Sequence, residues 1–108
     1  MGEFTVKEML GMQKALQEKY KDKWHALSPT VANDQLLWMI CEIGEVIDIV
    51  KKHGGEKACH DPELRSHLVE ELADVLMYYN DILLCYGITS DELKKAYEEK
   101  HRKNMGRW

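Results

Sequence analysis

The sequence has few of the residues that interrupt helices, and it lacks the signals of several protein classes. It contains two prolines and a single phenylalanine, Phe4. No apolar run reaches the roughly 18–20 residues that a membrane-spanning helix requires. The first ten residues, MGEFTVKEML, show no basic stretch followed by an apolar one, so no signal peptide is predicted. Strand-like alternation of apolar and polar residues is also absent.

Cysteine is scarce and widely spaced. The three residues Cys41, Cys59 and Cys85 form no C-x-x-C pair, and an odd number does not suit a disulfide framework. We interpret them as reduced thiols and expect neither a zinc site nor structural disulfides. The expected location is therefore the cytoplasm.

Positive charge is also in deficit. The chain carries 19 acidic and 15 basic residues, a formal net charge of −4. A general nucleic-acid binder needs a basic surface to displace counterions from phosphates. The composition therefore argues against a nucleic-acid partner, and the missing apolar run argues against a membrane.

The chain has the size and composition of one small globular domain. It has 108 residues, of which 44% are hydrophobic and 31% charged, so we expect a single domain over residues 1–108. Scaling from its mass predicts a folded surface of about 6,200 Å². A subunit this small often gains stability by burying a further face against copies of itself.

Helix signals occur along the whole chain. Capping boxes begin at Thr5 and Thr89, Pro29 and Pro62 suit first helical turns, and glycines follow two apolar segments. These signals predict helices over about residues 6–22, 30–53, 62–86 and 90–104, with a possible break near Ser66. The predicted fold is all-α, a bundle of four to five helices.

Acidic residues interrupt the two most apolar helices. On a helical wheel of the second helix, an apolar arc of roughly 120° forms the expected core stripe, and Glu42 and Glu45 border it. The stripe consists of Leu36, Met39, Ile40, Ile43, Val46, Ile47 and Val50. The third helix is apolar around most of its circumference, and Glu71 and Asp74 project from it toward other protein.

These acids form two pairs that suit a metal site. Glu42 with Glu45, and Glu71 with Asp74, are each three residues apart, which places each pair on one helix face. Buried together, the carboxylates would repel, and a divalent cation removes that conflict. Four carboxylates predict a site for Mg²⁺, with Mn²⁺ as a possible substitute. A di-iron bundle would require E-x-x-H pairs, which these positions lack.

The same residues carry a resemblance to a known family. The order Glu42-x-x-Glu45, twenty-five intervening residues, then Glu71-x-x-Asp74 resembles the MazG-like all-α nucleoside triphosphate pyrophosphohydrolases. The segments CEIGEVIDIVKK and VEELADVLMYYNDIL resemble the acidic helices of that superfamily. The ending, with Lys100, Asn104, Arg107 and Trp108, resembles its closing pattern. The resemblance covers about residues 30–108.

The resemblance implies an enzyme that cleaves a (d)NTP to the monophosphate and pyrophosphate, as housekeeping of the nucleotide pool. It implies Glu42, Glu45, Glu71 and Asp74 as Mg²⁺ ligands, with Glu45 also our choice of catalytic base. The phosphates would be bound by Lys100, Asn104 and Arg107. Aromatic faces accept a nucleobase, and the candidates for stacking on it are Trp24, Trp38 and Tyr78.

Three alternatives stay open at this point. The fold and acidic helices also suit a phosphoribosyl-ATP pyrophosphohydrolase. The acids would be incidental in a non-catalytic helical interaction module. Core packing is the alternative role for Trp38 and Tyr78, and covering the end of the bundle is the alternative for Trp24. Proteins of the resembling family assemble as dimers or dimers of dimers, so we expect a homodimer or homotetramer.

Overall fold

A computed structural model describes residues 2–107 and contains five α-helices and no strand among them. The helices are α1 (Val6–Lys19), α2 (Ala32–His53), α3 (Gly55–His60), α4 (Pro62–Cys85) and α5 (Ser90–Met105), and a 3₁₀ turn at Pro29–Val31 precedes α2. The prediction of an all-α fold is confirmed. None of the described helices is long and apolar enough to cross a membrane.

Local sequence signals set most of the helix ends. The Thr5 hydroxyl accepts the backbone N–H of Glu8, and the Thr89 hydroxyl accepts that of Glu92, so both predicted capping boxes are confirmed. The Asp61 side chain accepts two backbone N–H groups at the start of α4. Gly54 ends α2 at φ 85°, a left-handed region that favours glycine.

Three details of the predicted helices are wrong. The first helix ends at Lys19 and not near residue 22. Residues 55–60, expected to be a connection, form the short helix α3, and α4 runs through Ser66 without a break. The error at α3 arises because a six-residue segment is too short to show helical periodicity.

Helices α2 and α4 form the most extensive contact in the chain, and they run antiparallel. Trp38 faces Tyr78 across the pair, with ring centroids 6.2 Å apart, and Glu42 lies opposite Glu71 and Asp74. Residues later in α2 therefore face residues earlier in α4. Helix α1 packs on α4, and α5 contacts α1 but neither α2 nor α4.

The predicted core stripe of α2 is wrong for the single chain. Its members are largely exposed, from 38% at Leu36 to 60% at Ile40, and only Met39 and Val46 are half-buried. The face of α2 turned toward the rest of the chain is instead a more polar one. It contains Gln35, Met39, Glu42, Val46 and Ile49.

Candidate functional site

Three of the four predicted metal ligands meet between α2 and α4. Glu42 from α2, and Glu71 and Asp74 from α4, each place one carboxylate oxygen within 4.8 Å of the other two. All three residues are half-buried. The spacing of Glu71 and Asp74 puts both on one face of α4, and the antiparallel packing brings Glu42 opposite that face. We call these three residues the acid cluster.

The acid cluster concentrates negative charge. The pKa of Glu42 is raised because the side chain is partly withdrawn from water, and because Asp74, Glu71 and Glu45 are negative neighbours. The neighbouring Glu71 carboxyl group raises it further, because it favours the protonated form of Glu42 as a hydrogen-bond donor. His67 Nε2 lies 3.2 Å from a Glu71 oxygen. This donor set fits a hard divalent cation.

Glu45, the remaining predicted ligand and our choice of base, lies outside the acid cluster. It is exposed, and it is not one of the α2 residues that face α4. Three residues along a helix turn a side chain by about 300°, so Glu45 points to one side of Glu42. Its roles as ligand and base stay predictions.

A cavity of about 500 Å³ adjoins the acid cluster, and Glu42 and Asp74 form part of its wall. The three predicted stacking residues Trp24, Trp38 and Tyr78 line it as well. Trp38 and Tyr78 meet edge to face at 62°. Trp24 also contacts the ring of Tyr20, with centroids 4.8 Å apart. Carboxylates and aromatic rings thus border one cavity.

The structure does not bring the predicted phosphate-binding residues to this cavity. Lys100 and Asn104 lie on α5, and Arg107 follows it, whereas the acid cluster lies on α2 and α4, which α5 does not contact. Lys100 and Arg107 are exposed and Asn104 is half-buried. Trp108, part of the same sequence pattern, lies outside the described residues. The role of these residues stays a prediction.

The far end of the cavity contains polar residues that sequence reasoning missed. Asp81 is only 4% exposed, and its Oδ1 accepts hydrogen bonds from Gln13 Nε2 at 2.9 Å and Gln17 Nε2 at 3.2 Å. Gln35 is 7% exposed, and its Oε1 has no partner. All four residues line the cavity. The available signal was a polar residue amid the apolar positions of α1, α2 or α4.

Burial raises the pKa of Asp81, and the hydrogen bonds from Gln13 and Gln17 offset part of that rise because they favour the charged form. Keeping the Asp81 carboxylate ionised in this buried position therefore costs free energy. Two amides stabilise one of its oxygens.

Comparison of the chain with models of protein families, with curated proteins and with solved structures finds no match. The family resemblance therefore stays a prediction, and the argument for function depends on the site.

We predict that Asp81 makes the folded state less stable as pH rises. A carboxyl group with a raised pKa binds a proton more tightly when folded, so its contribution declines once pH rises through that pKa. Asp81→Asn removes this decline and keeps an acceptor for the two amides. Urea unfolding from about pH 3.5 to 7 should show the mutant gaining stability relative to the wild type.

The exposed Asp48 provides the matched control. The difference in free energy of unfolding between Asp48→Asn and the wild type should depend on pH much less. A constant difference between Asp81→Asn and the wild type across the pH range would contradict the prediction.

Proposed function

We propose that the protein is a Mg²⁺-dependent nucleoside triphosphate pyrophosphohydrolase that works as a homo-oligomer. The observation that carries the proposal is the acid cluster at one end of a cavity with aromatic walls. A triphosphate needs its charge neutralised at one end and a flat apolar surface for its base at the other. The acid cluster and the aromatic wall of this cavity supply both.

Glu42, Glu71 and Asp74 would hold Mg²⁺, with Mn²⁺ as a possible substitute, and Glu45 remains the fourth proposed ligand. When bound, Mg²⁺ supplies charge neutralisation for the pyrophosphate leaving group and lowers the pKa of an attacking water. The half-buried position of the cluster limits the water that competes for its oxygens.

Other residues have proposed roles around this centre. Trp38 and Tyr78 orient the base by stacking, and Trp24 closes the cavity wall beside them. Glu45 accepts the proton of the attacking water.

Lys100 and Arg107 neutralise phosphate oxygens, and Asn104 donates a hydrogen bond to one. Because α5 does not contact α2 or α4 in the chain, these three roles depend on how a second copy is placed.

The surface of the chain supports assembly with a second copy. It measures 8,694 Å², about 2,500 Å² more than a compact monomer of this mass exposes. The radius of gyration of 16.3 Å likewise exceeds the roughly 13 Å expected for a single domain of this length. An excess of this size matches what obligate dimers bury.

The exposed apolar residues lie where a second copy can cover them. On α2 and α4 they recur at alternating steps of three and four, the spacing of a helix-bundle seam. Both series lie on neighbouring antiparallel helices, so two chains can pack as a four-helix bundle. The seam consists of Leu36, Ile40, Ile43, Ile47 and Val50 on α2 and Val69, Leu72, Leu76 and Tyr79 on α4.

Ile47→Glu should convert the assembly to monomers, because it places a charge in the middle of the seam. Sedimentation of the wild type should give at least twice the chain mass, and the mutant should give the chain mass. The control is Phe4→Glu, which alters an apolar residue outside the seam that is at least as exposed as Ile47. A monomeric wild type would contradict the proposed assembly.

Glu71→Gln should weaken Mg²⁺ and Mn²⁺ binding by about 10-fold or more, because changing even a residue that only supports a metal ligand commonly costs about 10–100-fold. It should not lower the free energy of unfolding of the metal-free protein, because repulsion within the acid cluster falls. Calorimetry measures the first effect and urea unfolding the second. Glu70→Gln is the control, since Glu70 is exposed and outside the cluster. Equal binding by both variants would exclude this metal site.

The activity is tested by pyrophosphate release from each common NTP and dNTP in the presence of Mg²⁺, with phosphoribosyl-ATP as a separate substrate. We expect pyrophosphate from at least one triphosphate, its loss in Glu42→Gln and its retention in Glu70→Gln. Release of orthophosphate alone, or no release from any triphosphate, would refute the proposed reaction. Hydrolysis of phosphoribosyl-ATP alone would favour that alternative.

A further inference from the structure

His67 lies beside the acid cluster, on the side away from the cavity. The α4 residues that line the cavity run forward from Asp74 to Asp81, whereas His67 comes four residues before Glu71, about 6 Å back along the helix axis. Glu42 and Asp74 form part of the cavity wall, and Glu71 and His67 do not. His67 is therefore placed to act on Glu71 and not on a molecule in the cavity.

The imidazole of His67 contacts the carboxylate of Glu71. Nε2 of His67 lies 3.2 Å from Oε1 of Glu71, and the spacing of four residues places both side chains on one face of α4. The terminal bond of a histidine side chain has broad torsional preferences, so a turn about it points the N–H of Nε2 at Oε1. An ionised carboxylate only accepts hydrogen bonds, so a neutral imidazole with its hydrogen on Nε2 is sufficient.

His67 is the one basic side chain beside the acid cluster within residues 2–106. No other lysine, arginine or histidine of that range lies within ion-pair distance of Glu42, Glu71 or Asp74. The side chain of Glu71 is 16% exposed and that of His67 is 54% exposed. The contact thus lies where the half-buried cluster meets solvent.

A glutamate that binds a metal gains from a partner that fixes its orientation. The side chain has three rotatable bonds, and holding them in one arrangement costs conformational entropy when a cation binds. A group that already holds the carboxylate reduces that cost. Carboxylate ligands in metal sites are commonly hydrogen-bonded by the residues around them for this reason. A carboxylate has about four lone-pair positions, so contact with His67 leaves others for the cation.

We propose that His67 is a positioning residue for the metal site, whose Nε2–H holds the Glu71 carboxylate in the orientation that meets Glu42 and Asp74. The proposal rests on the proposed function, because it requires a divalent cation at the acid cluster. His67 itself is not a ligand in this account. It does not belong to the group of residues whose ligand atoms lie within 4.8 Å of one another.

The chain contains a matched histidine–glutamate pair outside the metal site. Nε2 of His60 lies 3.2 Å from Oε2 of Glu56, and these residues are also four apart on a helix. The side chain of Glu56 is 95% exposed, and Glu56 is not part of the acid cluster. Substitution of His60 therefore removes a contact of the same kind without altering the proposed site.

The test measures Mn²⁺ binding by calorimetry on the nucleotide-free protein. His67→Ala should weaken binding by about 10-fold, the lower end of the loss that follows when the support of a metal ligand is removed. His67→Phe keeps a ring without the N–H and should weaken binding similarly. His67→Gln retains an N–H donor one turn from Glu71, so it should bind Mn²⁺ nearly as tightly as the wild type. His60→Ala should bind as the wild type does.

The direction of the change separates positioning from other roles of His67. A role through positive charge alone would repel the cation, so His67→Ala and His67→Gln would both strengthen Mn²⁺ binding. A role in the fold alone would lower the free energy of unfolding of metal-free His67→Ala, which urea unfolding measures, and leave Mn²⁺ binding by the folded variant unchanged. Either result would overturn the proposal, and so would equal losses of affinity in His67→Ala and His67→Gln.

Mn²⁺ binding separates this proposal from the proposed reaction because it requires no hydrolysis. Weaker binding by His67→Ala with rescue by His67→Gln would support the positioning role even if no triphosphate were cleaved. Pyrophosphate release by the wild type, together with an Mn²⁺ affinity that His67→Ala leaves unchanged, would uphold the reaction and overturn the role of His67. A wild type that binds no Mn²⁺ would overturn both.

Discussion

Repulsion among the carboxylates of Glu42, Glu71 and Asp74 is the constraint around which the structure is organised. Three acidic oxygens within 4.8 Å of one another, in half-buried positions, oppose the packing of α2 on α4. The chain nonetheless packs these helices more extensively than any other pair. The raised pKa of Glu42 reflects this repulsion, and a divalent cation would relieve it.

The same constraint explains why the helix pair has two unlike faces. The face inside the chain contains acids and other polar residues, and it encloses a cavity. The face outside is apolar and resembles the core of a bundle. A second copy that covered the outer face would bury its apolar surface. That burial would supply hydrophobic stabilisation that the polar inner face does not provide. In this account, assembly and the site depend on each other.

The sequence was sufficient for some of these features and not for others. Helix ends were predictable because Thr5, Thr89 and Gly54 act on their immediate neighbours. Glu71 and Asp74 were predictable as a pair because their spacing fixes their common face. The inward face of α2 was not predictable, because a helical wheel with a strong apolar arc does not show whether that arc packs against the same chain or against another chain. Asp81 was missed because only folding brings Gln13 and Gln17, more than sixty residues away, to it.

The negative charge of the chain has a different meaning in the light of the proposed metal site. A net charge of −4 argues against partners that present bare phosphates, but three of the 19 acidic residues meet where a cation would bind. The most direct measurement is a crystal structure of the protein grown with Mn²⁺, with the ion located by its anomalous scattering. The account predicts an anomalous peak within bonding distance of oxygens from Glu42, Glu71 and Asp74. A structure with those carboxylates ordered and no peak between them would contradict it.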